Sequence, residues 1–99
     1  MNEISTKDLE ARLEAGEQPN MIDVREHEEV AAGMIPGAVH IPLMELPERL
    51  GELDEDKEYI IICRSGNRST MACNFLGGNG YNVTNMTGGM LEWEGEVIA

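Results

Sequence analysis

Short apolar runs alternate with longer polar segments along the chain, and this alternation predicts strands separated by helices. The runs have the length of buried strands and cover residues 21–24, 38–41, 59–62 and 81–84. Between them, apolar residues recur at helical spacing inside otherwise polar segments. Strands that alternate with helices form a parallel sheet covered on both faces, so the pattern predicts a single α/β domain over residues 1–99.

Capping residues and glycines mark the ends of the first two predicted helices. Ser5 or Thr6 is expected to cap the first helix, which Gly16 terminates. A short second helix over residues 27–32 is closed by Gly33. Each helix is followed by an apolar run, as the alternation of helix and strand requires.

The later helical segments differ in regularity. Three leucines between residues 43 and 50 lie at helical spacing, but Pro47 is expected to interrupt or restart that helix. A longer helix is expected to begin at Ser69 and to stop at Gly77. Its apolar face is predicted to consist of Met71, Ala72, Phe75 and Leu76. A last helical turn is predicted over residues 90–93.

Composition narrows the classes of protein to which the chain can belong. Its 99 residues can build one hydrophobic core, and its net charge of −12 argues against nucleic acid and anionic membrane surfaces as partners. The chain has no apolar stretch of membrane-spanning length, and its first residues lack the pattern of a signal peptide. Cys63 and Cys73, ten residues apart, form neither a disulfide framework nor a zinc-ligand pattern. A cytoplasmic location, where thiols are kept reduced, is therefore expected.

The candidate chemistry lies where the third apolar run ends. Residues 60–62 are followed by Cys63, then by a polar loop with Arg64 and Arg68, and then by a helix. Backbone N–H groups and the dipole at a helix N-terminus attract anions, and the arginines favour a charged sulfur. We therefore expect Cys63 to be a thiolate near neutral pH. Because ligand sites of open parallel sheets lie beyond the carboxyl ends of the strands, Asp23 is expected at the same edge.

The central apolar run is followed by the loop Cys63-Arg64-Ser65-Gly66-Asn67-Arg68, which resembles the active-site loop of rhodanese-type sulfurtransferases. Further segments resemble the other signatures of that family in the right order: residues 22–25 with Glu29, residues 33–42, and residues 88–90 with Trp93. The resemblance extends from about Ile4 to Trp93, so it implies a single rhodanese-like domain. The chain departs from the family at Met34, where members often carry a histidine that is not thought to take part in the chemistry.

The resemblance implies sulfur transfer by covalent catalysis. Thiolate Cys63 would take the outer sulfur of a small anionic donor such as thiosulfate and hold it as a persulfide. A thiol or cyanide would then accept the sulfur, and a protein thiol is a further candidate acceptor. The resemblance implies no metal and no organic cofactor.

The same resemblance assigns roles to the loop after Cys63. The donor-binding residues are expected to be Arg64, Ser65, Gly66, Asn67, Arg68 and Ser69. The backbone N–H groups of this segment would solvate the terminal sulfur, and Gly66 would permit the tight path of the backbone. Arg64 and Arg68 would attract and orient the donor. Ser69 would cap the following helix or form a hydrogen bond to the persulfide.

Three residues outside the loop are expected to have other roles. Asp23 would support the site by fixing loop backbone, and Arg25 would support it by pairing with Glu29 or a neighbouring carboxylate. Cys73 is expected on the flank of the apolar face of the long helix, directed away from Cys63. The sequence therefore predicts that Cys73 takes no part in the reaction.

Two other classes of function remain open. Protein-tyrosine-phosphatase-like enzymes use a cysteine-centred loop with five residues between the cysteine and the arginine, and an arsenate reductase would be a subtype of the enzyme interpretation. Here four residues separate Cys63 from Arg68, and Ser69 occupies the position of the phosphatase arginine. A shorter loop suits one sulfur atom better than a phosphoryl group. Non-catalytic interaction modules of this kind typically lose the cysteine, which this chain retains.

Overall fold

Five parallel strands form the sheet of this protein, whose computed structural model describes residues 2–99. The strands are β1 (Asn2–Ser5), β2 (Asn20–Asp23), β3 (Val39–His40), β4 (Glu58–Ile62) and β5 (Asn82–Thr87). Their order is β1-β5-β4-β2-β3, which puts β4, the strand that leads to Cys63, at the centre. The α/β fold and the four predicted strands are confirmed. The sequence pattern misses β1 because this edge strand is mostly polar and pairs with β5 alone.

Helices within residues 2–99 connect these strands. The α-helices are α1 (Thr6–Glu14), α2 (His27–Ala31) and α3 (Asn67–Gly78), and 3₁₀-helices span Leu43–Glu48, Leu50–Glu52 and Met90–Glu92. Ser5 caps α1 as predicted, since its side chain accepts the N–H of Asp8 at 3.0 Å. The leucine segment forms two 3₁₀-helices instead of an α-helix. Pro47 lies inside the first of them, and the break between the two falls at Arg49. Within residues 2–99, no helix is both long enough and apolar enough to cross a membrane.

Two hydrophobic cores cover the two faces of the sheet, as the sequence predicts. Successive side chains of β4 alternate between them: Ile61 and Cys63 pack into the core beneath α3, whereas Ile60 and Ile62 pack into the core that includes Leu9 of α1. Cys63 therefore continues the α3 side of the central strand, and its sulfur lies between the sheet and that helix.

The buried face of α3 differs from the predicted one. The sequence pattern places Met71 on the apolar face, yet Met71 is 61% exposed, whereas Cys73 is 2% exposed and belongs to the core. The sheet-facing arc centres near Leu76, from which Met71 lies about 140° around the helix and Cys73 only about 60°. The predicted flank position of Cys73 is therefore wrong, because packing against β4 and β5 selected small side chains over the larger methionine.

The turn after β5 fixes the backbone at the base of the loop. The N–H of Met90 donates to the Cys63 carbonyl at 2.8 Å, and the N–H of Leu91 donates to the Arg64 carbonyl at 2.9 Å. Gly89 has a positive φ of 61°, and a Cβ there would lie 2.7 Å from the Cys63 carbonyl oxygen and overlap the Arg64 carbonyl. A glycine is therefore required where this turn crosses the first two residues of the loop.

Replacing Gly89 by alanine tests this close approach. We expect Gly89→Ala to lower the free energy of unfolding by about 2 kcal/mol or more, because the backbone conformation is strained and the methyl group overlaps carbonyl groups. Gly77→Ala is the matched control, since a Cβ at this helical position meets nothing within 4 Å. Urea unfolding should show Gly77→Ala unchanged or stabilised by up to about 1 kcal/mol. Equal stability of Gly89→Ala and wild type would contradict the assignment.

Candidate active site

Cys63 lies directly after β4 and is fully buried, with 0% of its surface exposed. Two groups contact its sulfur. The backbone N–H of Gly66 donates to the sulfur at 2.8 Å, and the Ser69 hydroxyl lies 3.3 Å from it. A sulfur held against an N–H donor and a hydroxyl is well placed to carry negative charge, since both groups can donate to it.

The loop after Cys63 turns back at Gly66. This glycine has a φ of 100° and is the N-cap of α3, so the helix begins two residues earlier than predicted. The first backbone N–H of the helix to bond back is that of Thr70, which donates to the Gly66 carbonyl at 3.1 Å. Within residues 2–99, the other N–H groups between Arg64 and Ser69 donate to no protein acceptor. They form a group of free donors next to a buried sulfur, where an anion can be bound.

Arg68 is engaged by a carboxylate from another element. Its guanidinium donates two hydrogen bonds to Glu29 of α2, at 2.5 and 2.7 Å, across a separation of 39 residues. Glu29 also accepts the backbone N–H of Glu26 at 3.0 Å and so completes the capping box of α2. The hydrogen bond from Arg68 lowers the pKa of Glu29 to about 2. The pair therefore ties the start of α3 to the start of α2.

Arg64 has a different environment from Arg68. It is exposed, as are Ser65 and Asn67. It takes part in none of the ion pairs formed within residues 2–99. The sequence predicts the same role for both arginines. In the structure, the charge of Arg64 is available to solvent, whereas Glu29 balances the charge of Arg68.

Asp23 and Arg25 form a buried pair at the end of β2. The guanidinium of Arg25 donates to both carboxylate oxygens of Asp23 at 2.9 to 3.1 Å, and the Arg25 N–H donates to Asp23 at 3.0 Å. Arg25 also donates to the Gly33 carbonyl at 2.8 Å. Asp23 thus holds loop backbone, and the carboxylate beside Arg25 is Asp23 and not Glu29. Because Asp23 is aligned with Ile62 of β4, the pair braces the edge that carries Cys63.

Sequence reasoning missed two side chains close to Cys63. Asn85 on β5 is 4% exposed, accepts a hydrogen bond from the Ser69 hydroxyl, and donates to the Thr70 hydroxyl at 3.2 Å. Thr70 in turn donates to the Gly66 carbonyl at 2.7 Å. An asparagine between buried strand residues is a signal that could have revealed this, because a buried amide needs partners.

Cys73 is a buried thiol on the core side of α3. Burial raises its pKa to about 11, with a smaller contribution from the nearby Cys63. It is therefore a neutral thiol at physiological pH, and neither cysteine is in a disulfide. This environment agrees with the predicted lack of a chemical role, although its position on the helix was predicted wrongly.

A sizeable cavity of the protein lies away from the loop. A cavity of about 610 Å³ opens at the amino ends of β2 and β4, lined by residues that include Asn20 and Tyr59, and thus lies at the opposite edge from Cys63. Within residues 2–99, no group of three or more His, Cys, Asp or Glu side chains is arranged to hold a metal ion.

Comparison with known proteins identifies relatives over almost the whole chain. The model of the rhodanese-like domain family matches residues 5–96. The chain is 53% identical to the Bacillus subtilis protein YtwF, provisionally named a sulfurtransferase, over 97% of this chain and 93% of that protein. It is 40% identical to a sulfurtransferase of Allochromatium vinosum, over 94% and 88% of the two chains. The crystal structure of a rhodanese-like domain protein from Staphylococcus aureus superposes with a TM-score of 0.91 at 35% identity, over 97% and 94% of the two chains.

The Glu29–Arg68 pair predicts a specific pH dependence of stability. Because the pKa of Glu29 is lowered from 4.5 to about 2, the pair contributes fully above pH 4.5 and its contribution is lost as the pH falls towards 2. We expect Glu29→Gln to lower the free energy of unfolding by about 1 kcal/mol at pH 7, a typical value for a partly exposed pair. The difference from wild type should shrink between pH 4.5 and pH 3 in urea unfolding experiments.

Glu28→Gln provides the control for this measurement, since Glu28 is an exposed neighbour on the same helix. It removes the same charge without removing a bond to Arg68. A Glu29→Gln difference that is absent at pH 7, or that stays constant down to pH 3, would rule out the pair as a stabilising link.

Proposed function

The chain belongs to the rhodanese-like domain family of sulfurtransferase-type enzymes, and we propose that it moves sulfane sulfur through a persulfide on Cys63. The proposed donor is a small anion such as thiosulfate, and the proposed acceptor is a thiol, on a small molecule or a protein, or cyanide. One observation carries the proposal. The Cys63 sulfur accepts the Gly66 N–H at 2.8 Å beneath a loop whose other N–H groups have no acceptor within residues 2–99.

The first half-reaction loads the enzyme. Thiolate Cys63 attacks the outer sulfur of thiosulfate, the sulfur–sulfur bond of the donor breaks, and sulfite leaves with the electron pair. The product is the Cys63 persulfide, whose negative charge lies on the terminal sulfur. No oxidant is consumed, because the sulfane sulfur arrives already in the required oxidation state.

The second half-reaction unloads the enzyme. An acceptor thiolate attacks the terminal sulfur, the persulfide bond breaks, and its electron pair returns to Cys63 as thiolate. The acceptor leaves as a persulfide, or as thiocyanate when the acceptor is cyanide. Because sulfite leaves before the acceptor reacts, and the enzyme alternates between its free and persulfide forms, ping-pong kinetics follow.

The loop contributes electrostatic stabilisation in both half-reactions. Gly66 supports the charge on Cys63 before attack, and the free N–H groups between Arg64 and Ser69 are the donors available to the terminal sulfur afterwards. These groups lie at the N-terminus of a twelve-residue helix, whose dipole favours negative charge at the same point. Because they are fixed by the backbone, little reorganisation is needed when charge moves from one sulfur to the next.

The two arginines of the loop are proposed to act differently. Arg64, exposed together with Ser65 and Asn67, supplies the cation that attracts the donor to a protein of net charge −12. Arg68 acts through Glu29 by holding the start of α3 against α2. Asp23 and Arg25 serve as supports of the neighbouring strand end.

Phosphatase and arsenate reductase chemistry is the second candidate function, and two observations disfavour it. Only four residues lie between Cys63 and Arg68, which gives a small ring of N–H donors for a phosphoryl group. In addition, the Arg68 guanidinium, which would have to bind the oxyanion, is already bonded to Glu29 at both terminal nitrogens.

The persulfide can be detected directly. Intact-protein mass spectrometry after thiosulfate treatment should show the addition of one sulfur atom, located at Cys63 and removed by cyanide. Cys63→Ser should take up none, whereas Cys73→Ala should take up one, because Cys73 is buried and neutral. Uptake that persists in Cys63→Ser would refute the proposal. Efficient hydrolysis of an aryl phosphate that depends on Cys63 would instead support the phosphatase alternative.

Because the two arginines are proposed to act differently, their alanine variants should differ in kcat/KM and in the free energy of unfolding. Arg64→Ala should lower kcat/KM for thiosulfate by about ten- to a hundred-fold, the effect of losing a charge-assisted contact, without changing the free energy of unfolding. Arg68→Ala should lower both kcat/KM and the free energy of unfolding, because it breaks the bond to Glu29 that holds the start of α3. Steady-state kinetics combined with urea unfolding separates the two effects. A loss of stability in Arg64→Ala, or wild-type kcat/KM in both variants, would contradict these roles.

A further inference from the structure

A closed ring of hydrogen bonds lies behind the Cys63 sulfur, and one member comes from another strand. The loop and α3 contribute Gly66, Ser69 and Thr70, and β5 contributes Asn85. Ser69 is fully buried and Asn85 is 4% exposed, so neither polar group has ready access to water. Each donor in the ring must therefore find its acceptor within it.

All five groups are satisfied when Cys63 is a thiol. The thiol donates to the Ser69 oxygen at 3.3 Å, and the Ser69 hydroxyl donates to the Asn85 carbonyl oxygen. The Asn85 amide group then donates to the Thr70 oxygen at 3.2 Å. Finally, the Thr70 hydroxyl donates to the Gly66 carbonyl at 2.7 Å, and the Gly66 N–H donates to the sulfur at 2.8 Å. The bonds run in one direction around the ring.

Ionisation of Cys63 breaks this arrangement. A thiolate has no proton to donate, so the single hydrogen of Ser69 is needed by the sulfur. The Ser69 and Asn85 oxygens would then face each other without a hydrogen between them. Rotation of the Asn85 amide by half a turn removes the conflict, because its NH₂ group then donates to the Ser69 oxygen.

The rotated arrangement is also fully satisfied. The Asn85 oxygen accepts from the Thr70 hydroxyl, and the Gly66 carbonyl keeps the backbone N–H of Thr70 at 3.1 Å. Ser69 and Gly66 both donate to the thiolate. An asparagine provides a donor and an acceptor that exchange places on rotation, which a carboxylate or an apolar side chain of the same shape cannot do.

We propose that Asn85 is a positioning residue whose amide orientation follows the charge of Cys63 and directs the Ser69 hydroxyl to the sulfur when Cys63 is a thiolate. The inference rests on the proposed function for its place in turnover. During sulfur transfer Cys63 must be a thiolate before it attacks the donor, and it becomes one again when the acceptor removes the outer sulfur. The rotated orientation of Asn85 is therefore the one expected in the free enzyme that is ready to react.

Other charged or titratable groups surround Cys63 and are left unchanged by the test. They are Arg64 and Arg68 of the loop, Glu29 bonded to Arg68, Cys73 on α3, Asp23 with Arg25 at the end of β2, and Glu92 after β5. A change in the electric field of any of these groups would shift the NMR resonances of Asn85 without rotating its amide group. The test therefore measures the orientation of the Asn85 amide and not its chemical shift.

Nuclear Overhauser contacts of the Asn85 NH₂ protons report that orientation in the intact protein. The rate at which iodoacetamide alkylates Cys63 rises with pH, and the pH at half of the maximal rate is the alkylation midpoint. At a pH above this midpoint, the Asn85 NH₂ protons should contact the Ser69 β-protons. In Cys63→Ser, which stays neutral at every pH, they should contact the Thr70 methyl group. The same contact to Thr70 in both proteins would overturn the proposal. Because no sulfur donor is present, this result is independent of whether a persulfide forms.

Two substitutions of Asn85 separate positioning from packing. Asn85→Asp only accepts hydrogen bonds and keeps the Ser69 hydrogen from the sulfur, so the alkylation midpoint should rise by about one pH unit or more. Asn82→Asp, on an exposed residue of the same strand, adds the same charge and should leave the midpoint unchanged. Asn85→Leu removes both amide groups and leaves the Ser69 hydroxyl to donate either to the sulfur or to the Gly66 carbonyl at 3.0 Å, so its midpoint should lie between those of wild type and Asn85→Asp. A similar rise in Asn85→Leu and Asn85→Asp would show that Asn85 only fills space.

Discussion

The site depends on a buried sulfur that must be supplied with hydrogen-bond donors by the protein itself. Cys63 directly follows the central strand and has no exposed surface, so water cannot solvate a charge there. Gly66 meets this requirement because its left-handed conformation turns the chain back and points its N–H at the sulfur. The same residue starts α3, so the loop and the helix dipole act on the sulfur together. A single backbone conformation thus connects the fold to the chemistry.

The surrounding elements hold that loop from three sides. The turn at Gly89 bonds to the carbonyl groups of Cys63 and Arg64 and leaves no room for a side chain. The Glu29–Arg68 pair fixes the first turn of α3 to α2. Asn85 reaches the loop from β5 through Ser69. Each contact joins residues far apart in the sequence, so the geometry of the loop reflects the whole domain.

Local signals in the sequence predict four of the five strands, the cap of the first helix and the cysteine loop, because each of these is determined by neighbouring residues. Three features required tertiary structure. The bond of Arg68 to Glu29 spans 39 residues, and a composition-based argument treats both arginines as free cations. The face of α3 was misassigned because a methionine is more hydrophobic than a cysteine, although the close approach of helix and sheet favours the smaller side chain. The sequence does not predict a role for Asn85, because the predicted fifth strand ends at Thr84, one residue before Asn85.

The central claim is that the free N–H groups of the loop stabilise sulfur bound to Cys63. A high-resolution crystal structure of the protein after thiosulfate treatment tests it most directly. The account predicts one additional sulfur atom bonded to Cys63, with its terminal atom within hydrogen-bond distance of backbone N–H groups between Arg64 and Ser69. An unmodified cysteine, or a terminal sulfur that points away from those groups, would contradict the account.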